Sequence, residues 1–266
     1  MDTGSITDSI DVAQIVLYAF WIFFAGLIVY LRREDKREGY PLDSDVTEQS
    51  HGQIKAMGFP AMPEPKVFRL RDGSTIERPA PERDQRELRA EPVDGFPGAP
   101  LQPTGDPMHA ELGPGAYALR ADVPDVTGEG EPCIVPLRAA PAFWIEPNDP
   151  DPRGMEVRGA DRIVAGTVSD VWVDRKEHVV RYLEVDIGEG ETRRSVMLPI
   201  NFARVHPARG WRDGHVAVQA ILAEQFHGVP ALGQPGRITL LEEERVSAYY
   251  GAGTLYATSA RSEPLL

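Results

Sequence analysis

The run from Val12 to Leu31, VAQIVLYAFWIFFAGLIVYL, contains no Asp, Glu, Lys, Arg or His. A helix rises ~1.5 Å per residue, so a run of this length matches the ~30 Å hydrocarbon core of a bilayer. Asp11 stands where its carboxylate can accept from the free N–H groups of the first turn, and Gln14 is near enough to the end to meet interfacial water. A cleaved signal peptide is the rival reading, but it calls for a basic leader and a small-residue cleavage site. Here the leader carries Asp2, Asp8 and Asp11 with no Lys or Arg, and Arg32-Arg33 follow the run directly. Residues 12–31 therefore read as an uncleaved transmembrane helix.

Flanking charge sets the orientation. Arg32, Arg33, Lys36 and Arg37 crowd one end and no basic residue lies at the other, so the positive-inside rule leaves residues 1–11 outside and the rest in the cytoplasm. A single cysteine, Cys133, excludes an intrachain disulfide and suits a reducing compartment. The helix is rich in aromatic residues (Tyr18, Phe20, Trp21, Phe23, Phe24, Tyr30), and Ala25-Gly26 form a small notch. Two readings stay open: lipid contact with interfacial anchoring, or packing against the helices of a larger complex. The chain carries 28 Lys+Arg against 41 Asp+Glu, a net charge of −13, which argues against nucleic acid as a partner. Its negative mean hydropathy conceals the anchor, because so short a run hardly moves an average over 266 residues.

Of the 24 prolines, 19 fall between Pro41 and Pro152. Proline lacks a donor and restricts its predecessor, so long helices and central strands are not expected there. The stretch still holds Val67-Phe68, Phe96, Tyr117 and Phe143-Trp144-Ile145, and it offers one hairpin, Lys66–Leu70 and Ser74–Glu77 around Arg71-Asp72-Gly73. We expect residues 32–154 to form an extended, ordered segment packing on partner subunits, with a disordered spacer as the alternative.

From about Met155 the pattern changes to short alternating runs: Ile163–Val173, Val179–Ile187, Arg194–Ile200, Ala203–Val205 and His215–Leu222, with a turn at Gly188–Glu191. Such spacing predicts a small antiparallel barrel or strongly bent sheet. Short helices are expected near Leu222–Phe226 and after Thr239, where Thr239-Leu240-Leu241-Glu242 is a capping box. The fold class is thus a single transmembrane helix plus a mainly-β domain over residues 155–250, followed by a tail at 251–266.

Catalytic motifs are lacking. The six histidines show no metal-binding spacing, and no phosphate loop or nucleophile elbow occurs, so no catalytic or metal-ligating residue is assigned. Cys133, between Pro132 and Ile134, reads as a small buried side chain. One constellation stands out. If Asp174 and Glu177 bracket a tight connection, their carboxylates approach each other, and Arg181 returns on the next strand. Two close carboxylates resist ionising together, which suits proton relay near neutrality. The competing reading is a charged turn in solvent.

Several stretches together resemble a known family. They are Tyr18–Phe23 (YAFWIF), Arg37–Leu42 (REGYPL), Gly95–Pro97, Pro103–Met108 (PTGDPM), Ala165–Asp174 (AGTVSDVWVD), Arg181–Val185 (RYLEV) and Thr239–Glu243 (TLLEE). In this order they resemble the H subunit of the purple-bacterial photosynthetic reaction centre. The C-terminal part is similar to a PRC-barrel, a fold shared with a ribosome-maturation factor.

The resemblance implies an accessory, non-enzymatic subunit of the bacterial inner (intracytoplasmic) membrane, with a periplasmic N-terminus. Such a subunit caps the L and M chains, shields the primary quinone and helps conduct protons to the secondary quinone. Bacteriochlorophyll, bacteriopheophytin, quinones, non-haem iron and carotenoid are implied on L and M. Membrane lipids and the light-harvesting 1 antenna ring are implied as further neighbours. By motif match, Asp174, Glu177 and Arg181 fall on the proton path, which favours the relay over the solvated turn. Tyr18, Trp21, Arg37, Glu38 and Tyr40 are the residues expected to pack on partners. One stretch departs from the family. Where better-known members carry paired histidines, Thr127–Glu131 reads TGEGE, so Asp122, Asp125, Glu129 and Glu131 are expected to form an acidic proton-collecting patch instead. The alternative from another class is a membrane-anchored PRC-barrel assembly or maturation factor.

Overall fold

The computed structural model describes residues 5–7, 10–38, 40, 60–61, 63–78, 86–96, 99–188, 190–208, 210 and 213–262. The Pro41-Leu42 end of the REGYPL stretch, Pro97, Glu189 and the last four residues of the expected tail lie outside them. The chain forms two units, Met1–Glu87 with Gly95–Ala99, and Leu88–Asp94 with Pro100–Leu266.

In the first unit, β1 (Ser5–Thr7) pairs with β2 (Ile10–Asp11), and α1 follows directly as Val12–Arg37. Asp11 caps α1 as expected: its Oδ1 accepts from the Gln14 N–H at 2.7 Å, while the Gln14 side chain accepts from the Asp11 N–H at 3.4 Å. The helix continues past Leu31 because its last residues find partners. Arg37 Nε reaches Glu34 at 3.2 Å, and the Glu38 N–H donates to the Glu34 and Asp35 carbonyls. Among the described residues α1 is the one helix long and apolar enough to cross a membrane. Its aliphatic and aromatic side chains are exposed along its length, Ile22 by 76%. The expected hairpin is present as β3 (Lys66–Arg69) and β4 (Thr75–Arg78), with Lys66 opposite Arg78. Its turn uses Gly73 at φ 86° and an Asp72 carboxylate that accepts from the Ser74 N–H at 2.9 Å.

The second unit opens with a two-stranded ribbon, β5 (Ala90–Pro92) and β6 (Leu101–Pro103). Its main sheet contains β7 (Ile134–Pro136), β8 (Glu156–Arg158), β9 (Val164–Asp174), β10 (Val179–Ile187), β11 (Arg194–Pro199), β12 (Ala203–His206) and β13 (His215–Val218). The order is β11-β10-β9-β8-β13-β12, with β7 also on β9. The long β9 pairs with β10 along one edge. Its other edge is shared between β8, at Thr167↔Glu156, and β7, at Asp174↔Ile134. Two neighbours on one edge, together with bulges at Val180/Tyr182 and Glu184/Val185, bend the sheet. The expected barrel is thus a bent, open sheet among the described residues, with β11 and β12 at its ends and one parallel pair, β8–β13.

The apolar faces of β9, β10, β11 and β13 enclose Val168, Trp172, Leu183, Val185, Val196, Leu198 and Val216. Helix α2 (Leu240–Tyr256) closes the core with Val246 and Tyr250. Thr239 forms the expected capping box with Glu242. The short helix expected near Leu222–Phe226 is present as a 3-10 helix at Glu224–Gly228. Two expectations need correction. Residues 32–154 are not one extended segment, because Met108, Ala110, Cys133, Ile134, Val135 and Leu137 are buried within the second unit. The last helix runs to Tyr256, so no tail begins at residue 251.

Glycines make that long helix possible. A Cβ on Gly251 would strike the Pro114 carbonyl oxygen, and one on Gly253 would strike Ile221 Cγ2 and the Ala220 carbonyl oxygen at 2.6 Å. Pro114 of the Gly113–Gly115 turn thereby packs directly on α2. We expect Gly251→Ala to lower stability by about 1–3 kcal/mol through overpacking, read as a reduced midpoint in chemical denaturation. An unchanged midpoint would contradict this close packing.

Candidate functional site

The turn joining β9 and β10 carries the candidate site. Asp174 is the last residue of β9 and is only 5% exposed. Its Oδ1 accepts from the Lys176 and Glu177 N–H groups at 2.8 and 3.1 Å, and its main-chain carbonyl accepts from the His178 N–H at 2.8 Å. His178 completes the reversal at φ 57°, a conformation that a side chain adopts only when its surroundings hold it. Phe143 supplies part of that setting, with ring centroids 5.2 Å apart.

Arg181 then returns on β10 and bridges both acids. Its Nε donates to Asp174 Oδ2 at 3.2 Å and its Nη2 to Glu177 Oε2 at 2.8 Å. The three residues singled out in the sequence are therefore brought together, with the guanidinium between the carboxylates. Asp174 is buried beneath the turn, while Glu177 faces outward with a side chain 62% exposed.

The turn is tied to the preceding loop. Lys176 Nζ donates to Asp125 Oδ2 at 3.1 Å, and Arg175 Nε donates to the Pro132 carbonyl at 3.0 Å. Partial burial pushes the Asp125 carboxyl up, but the Lys176 ammonium, the Cys133 thiol and the Val126 N–H outweigh it and leave the group below its ordinary range. Burial pushes the Cys133 thiol up, in keeping with a packed rather than nucleophilic side chain.

The other acids of the expected patch are engaged separately. Asp122 accepts from Thr239 Oγ1 at 2.7 Å, beside the first turn of α2. Glu129 and Glu131 are exposed on a tight turn closed by Thr127 N–H to Glu131 O at 2.7 Å, with Gly130 at φ 87°. The residues expected to meet partners fall in the first unit. Tyr18, Trp21 and Tyr40 are more than half exposed, whereas Arg37 is buried against Glu34 and the Glu64 carbonyl, and Glu38 caps α1.

Sequence reasoning missed two groups. Glu243, on the first turn of α2, accepts from the Tyr182 hydroxyl at 3.0 Å. Burial pushes its carboxyl up, Asp125 adds to that, and Tyr182, Arg120 and Arg181 oppose it; the net direction is upward. Desolvation and the Glu243 charge likewise push the Tyr182 phenol up, so it serves as a donor only. Elsewhere on the sheet, Arg138 Nη1 bridges Asp170 at 2.8 Å and Glu184 at 2.7 Å, and Glu184 also accepts from Trp172 Nε1 at 2.9 Å. Only the Glu242-Glu243 pair behind Thr239 hinted at the first group, and no local signal pointed to the second. Among the described residues no three His, Cys, Asp or Glu side chains gather as a metal site.

Comparison with known families places these features in a class. Residues 148–212, which hold the ionisable turn, match the PRC-barrel domain. Residues 4–139 match the family described as photosynthetic reaction centre, H-chain N-terminal region. The chain belongs to the reaction-centre H-chain family, whose members are accessory subunits rather than classical enzymes.

Glu243 provides a direct check on the electrostatics. An acid whose folded pKa is raised favours folding below its unfolded value of ~4.3 and loses that contribution as pH rises through the folded value. Glu243→Gln should therefore match the parent chain in acid and melt higher near neutrality. Thermal denaturation across this range reads the difference. A variant that melts lower at neutrality would show that Arg120 and Arg181 outweigh burial.

Proposed function

We propose that this chain caps the cytoplasmic face of the L and M subunits of a photosynthetic reaction centre, shields the primary quinone and helps conduct protons to the secondary quinone. The observation that carries the proposal is the Asp174–Arg181–Glu177 cluster at the tip of the β9–β10 turn. It joins a buried carboxylate to an exposed one through a single guanidinium. A cap that keeps water from a buried redox site also blocks protons, so ionisable side chains must cross it. Glu243, whose carboxyl burial pushes up while the Arg181 charge opposes that shift, is a further acid beside that path.

In this reading the basic cluster after Leu31 keeps the barrel domain in the cytoplasm and the first residues in the periplasm. Exposed Tyr18 and Trp21 meet lipid or partner helices. Pigments, quinones, iron and carotenoid belong to L and M, with the antenna ring outside them. Glu129 and Glu131, exposed on their turn, collect protons at the surface. The H-chain match spans the anchor and the proline-rich segment, neither of which a barrel-only assembly factor needs.

Flash spectroscopy on the intact complex tests this. Glu177→Gln should slow second-electron transfer to the secondary quinone by about a hundredfold or more and leave primary charge separation unchanged. Wild-type rates for both steps would reduce Glu177 to a structural role. Replacing Glu129 and Glu131 together with Gln should slow the same step, and unchanged kinetics from about pH 6 to pH 9 would remove the surface patch from the path.

A further inference from the structure

A groove of about 710 Å³ lies beside β12, β13 and the C-terminal end of α2, on residues the relay does not use. Asn201, Arg204, His206, Gln219, Thr254 and Arg261 supply its polar lining, and no carboxylate lines it among the described residues. In a chain of net charge −13 that is an unusual surface.

Arg261 is held rigidly. Its Nη1 donates to the Ala220 and Gly253 carbonyls, both at 2.7 Å, and its Nη2 to the Gln219 carbonyl at 2.8 Å. These acceptors are neutral, so the positive charge stays uncompensated at the groove wall. Capping of α2 accounts for Arg261, since a cation there offsets the negative end of the helix. It does not account for Arg204. That guanidinium is exposed and makes no hydrogen bond or ion pair among the described residues, and the Asn201 and Gln219 amides likewise have no side-chain partner there. His206 is oriented by stacking on His215, with ring centroids 4.8 Å apart. Glu156, opposite His215 in the β8–β13 pairing, is already taken by Arg158 at 2.8 Å.

We propose that this groove binds a phosphate-type oxyanion, carried either by a lipid headgroup or by a free phosphate compound. One fixed and one free guanidinium provide paired N–H donors that match a tetrahedral oxyanion, and the amides and imidazole add further donors around it. The site is independent of the proposed proton path.

The test uses the full chain in a maltoside micelle in phosphate-free buffer. Inorganic phosphate is titrated calorimetrically, first with plain micelles and then with micelles doped with phosphatidylglycerol. Saturable phosphate binding should appear and weaken about tenfold in Arg204→Gln, while Arg78→Gln, which removes an exposed charge on β4, leaves it unchanged. Loss of the phosphate signal in doped micelles identifies the headgroup as occupant, and persistence identifies a free phosphate compound. Absence of saturable binding, equal binding by Arg204→Gln, or equal weakening by Arg78→Gln would overturn the proposal.

Discussion

The buried carboxylate of Asp174 organises the ionisable face of this protein. It accepts two N–H groups of the turn and one from Arg181, charge-assisted bonds of about 1.5–3 kcal/mol each. Those bonds fix a turn tight enough to hold His178 at positive φ. With the turn fixed, Lys176 points to Asp125 and Arg175 to the Pro132 carbonyl, and the loop they hold leads into β7. The β9–β10 hairpin therefore carries apolar core along most of its length and joined charges at its tip.

Charge and burial are reconciled differently on the rest of the domain. Asp170 and Glu184 meet one arginine, Arg138, and Glu184 also satisfies the indole of buried Trp172. The Glu243 carboxylate accepts from the Tyr182 phenol, and burial pushes its carboxyl up. An acid paired with a guanidinium leaves no buried charge uncompensated, whereas an acid raised by burial is the kind suited to proton exchange.

Legibility in the sequence followed the range of the interactions. The anchor, the Thr239 capping box and the alternation of Val179–Ile187 are local patterns and were readable. Strands β7 and β8 are three residues each, too short to show a period, and they exist because β9 offers an edge. Gly251 and Gly253 look like helix breakers, yet they lie inside α2 because Pro114 and Ile221 leave no room for a Cβ. Within the site, Asp174, Glu177 and Arg181 are one turn apart and could be paired by eye. Tyr182 and Glu243 are 61 residues apart, and nothing in either neighbourhood announces the contact. The four acids read as one patch have separate surroundings, because α2 engages Asp122 while Lys176 engages Asp125.

If this chain both covers the quinone region and carries protons across the cover, removing and restoring it must change proton delivery. Flash-induced proton uptake would be followed with a pH-sensitive dye in reaction centres stripped of the chain and again after it is added back. Proton uptake coupled to the second electron should be impaired in the stripped complex and recovered with the intact chain. Uptake at the same rate with and without the chain would contradict it.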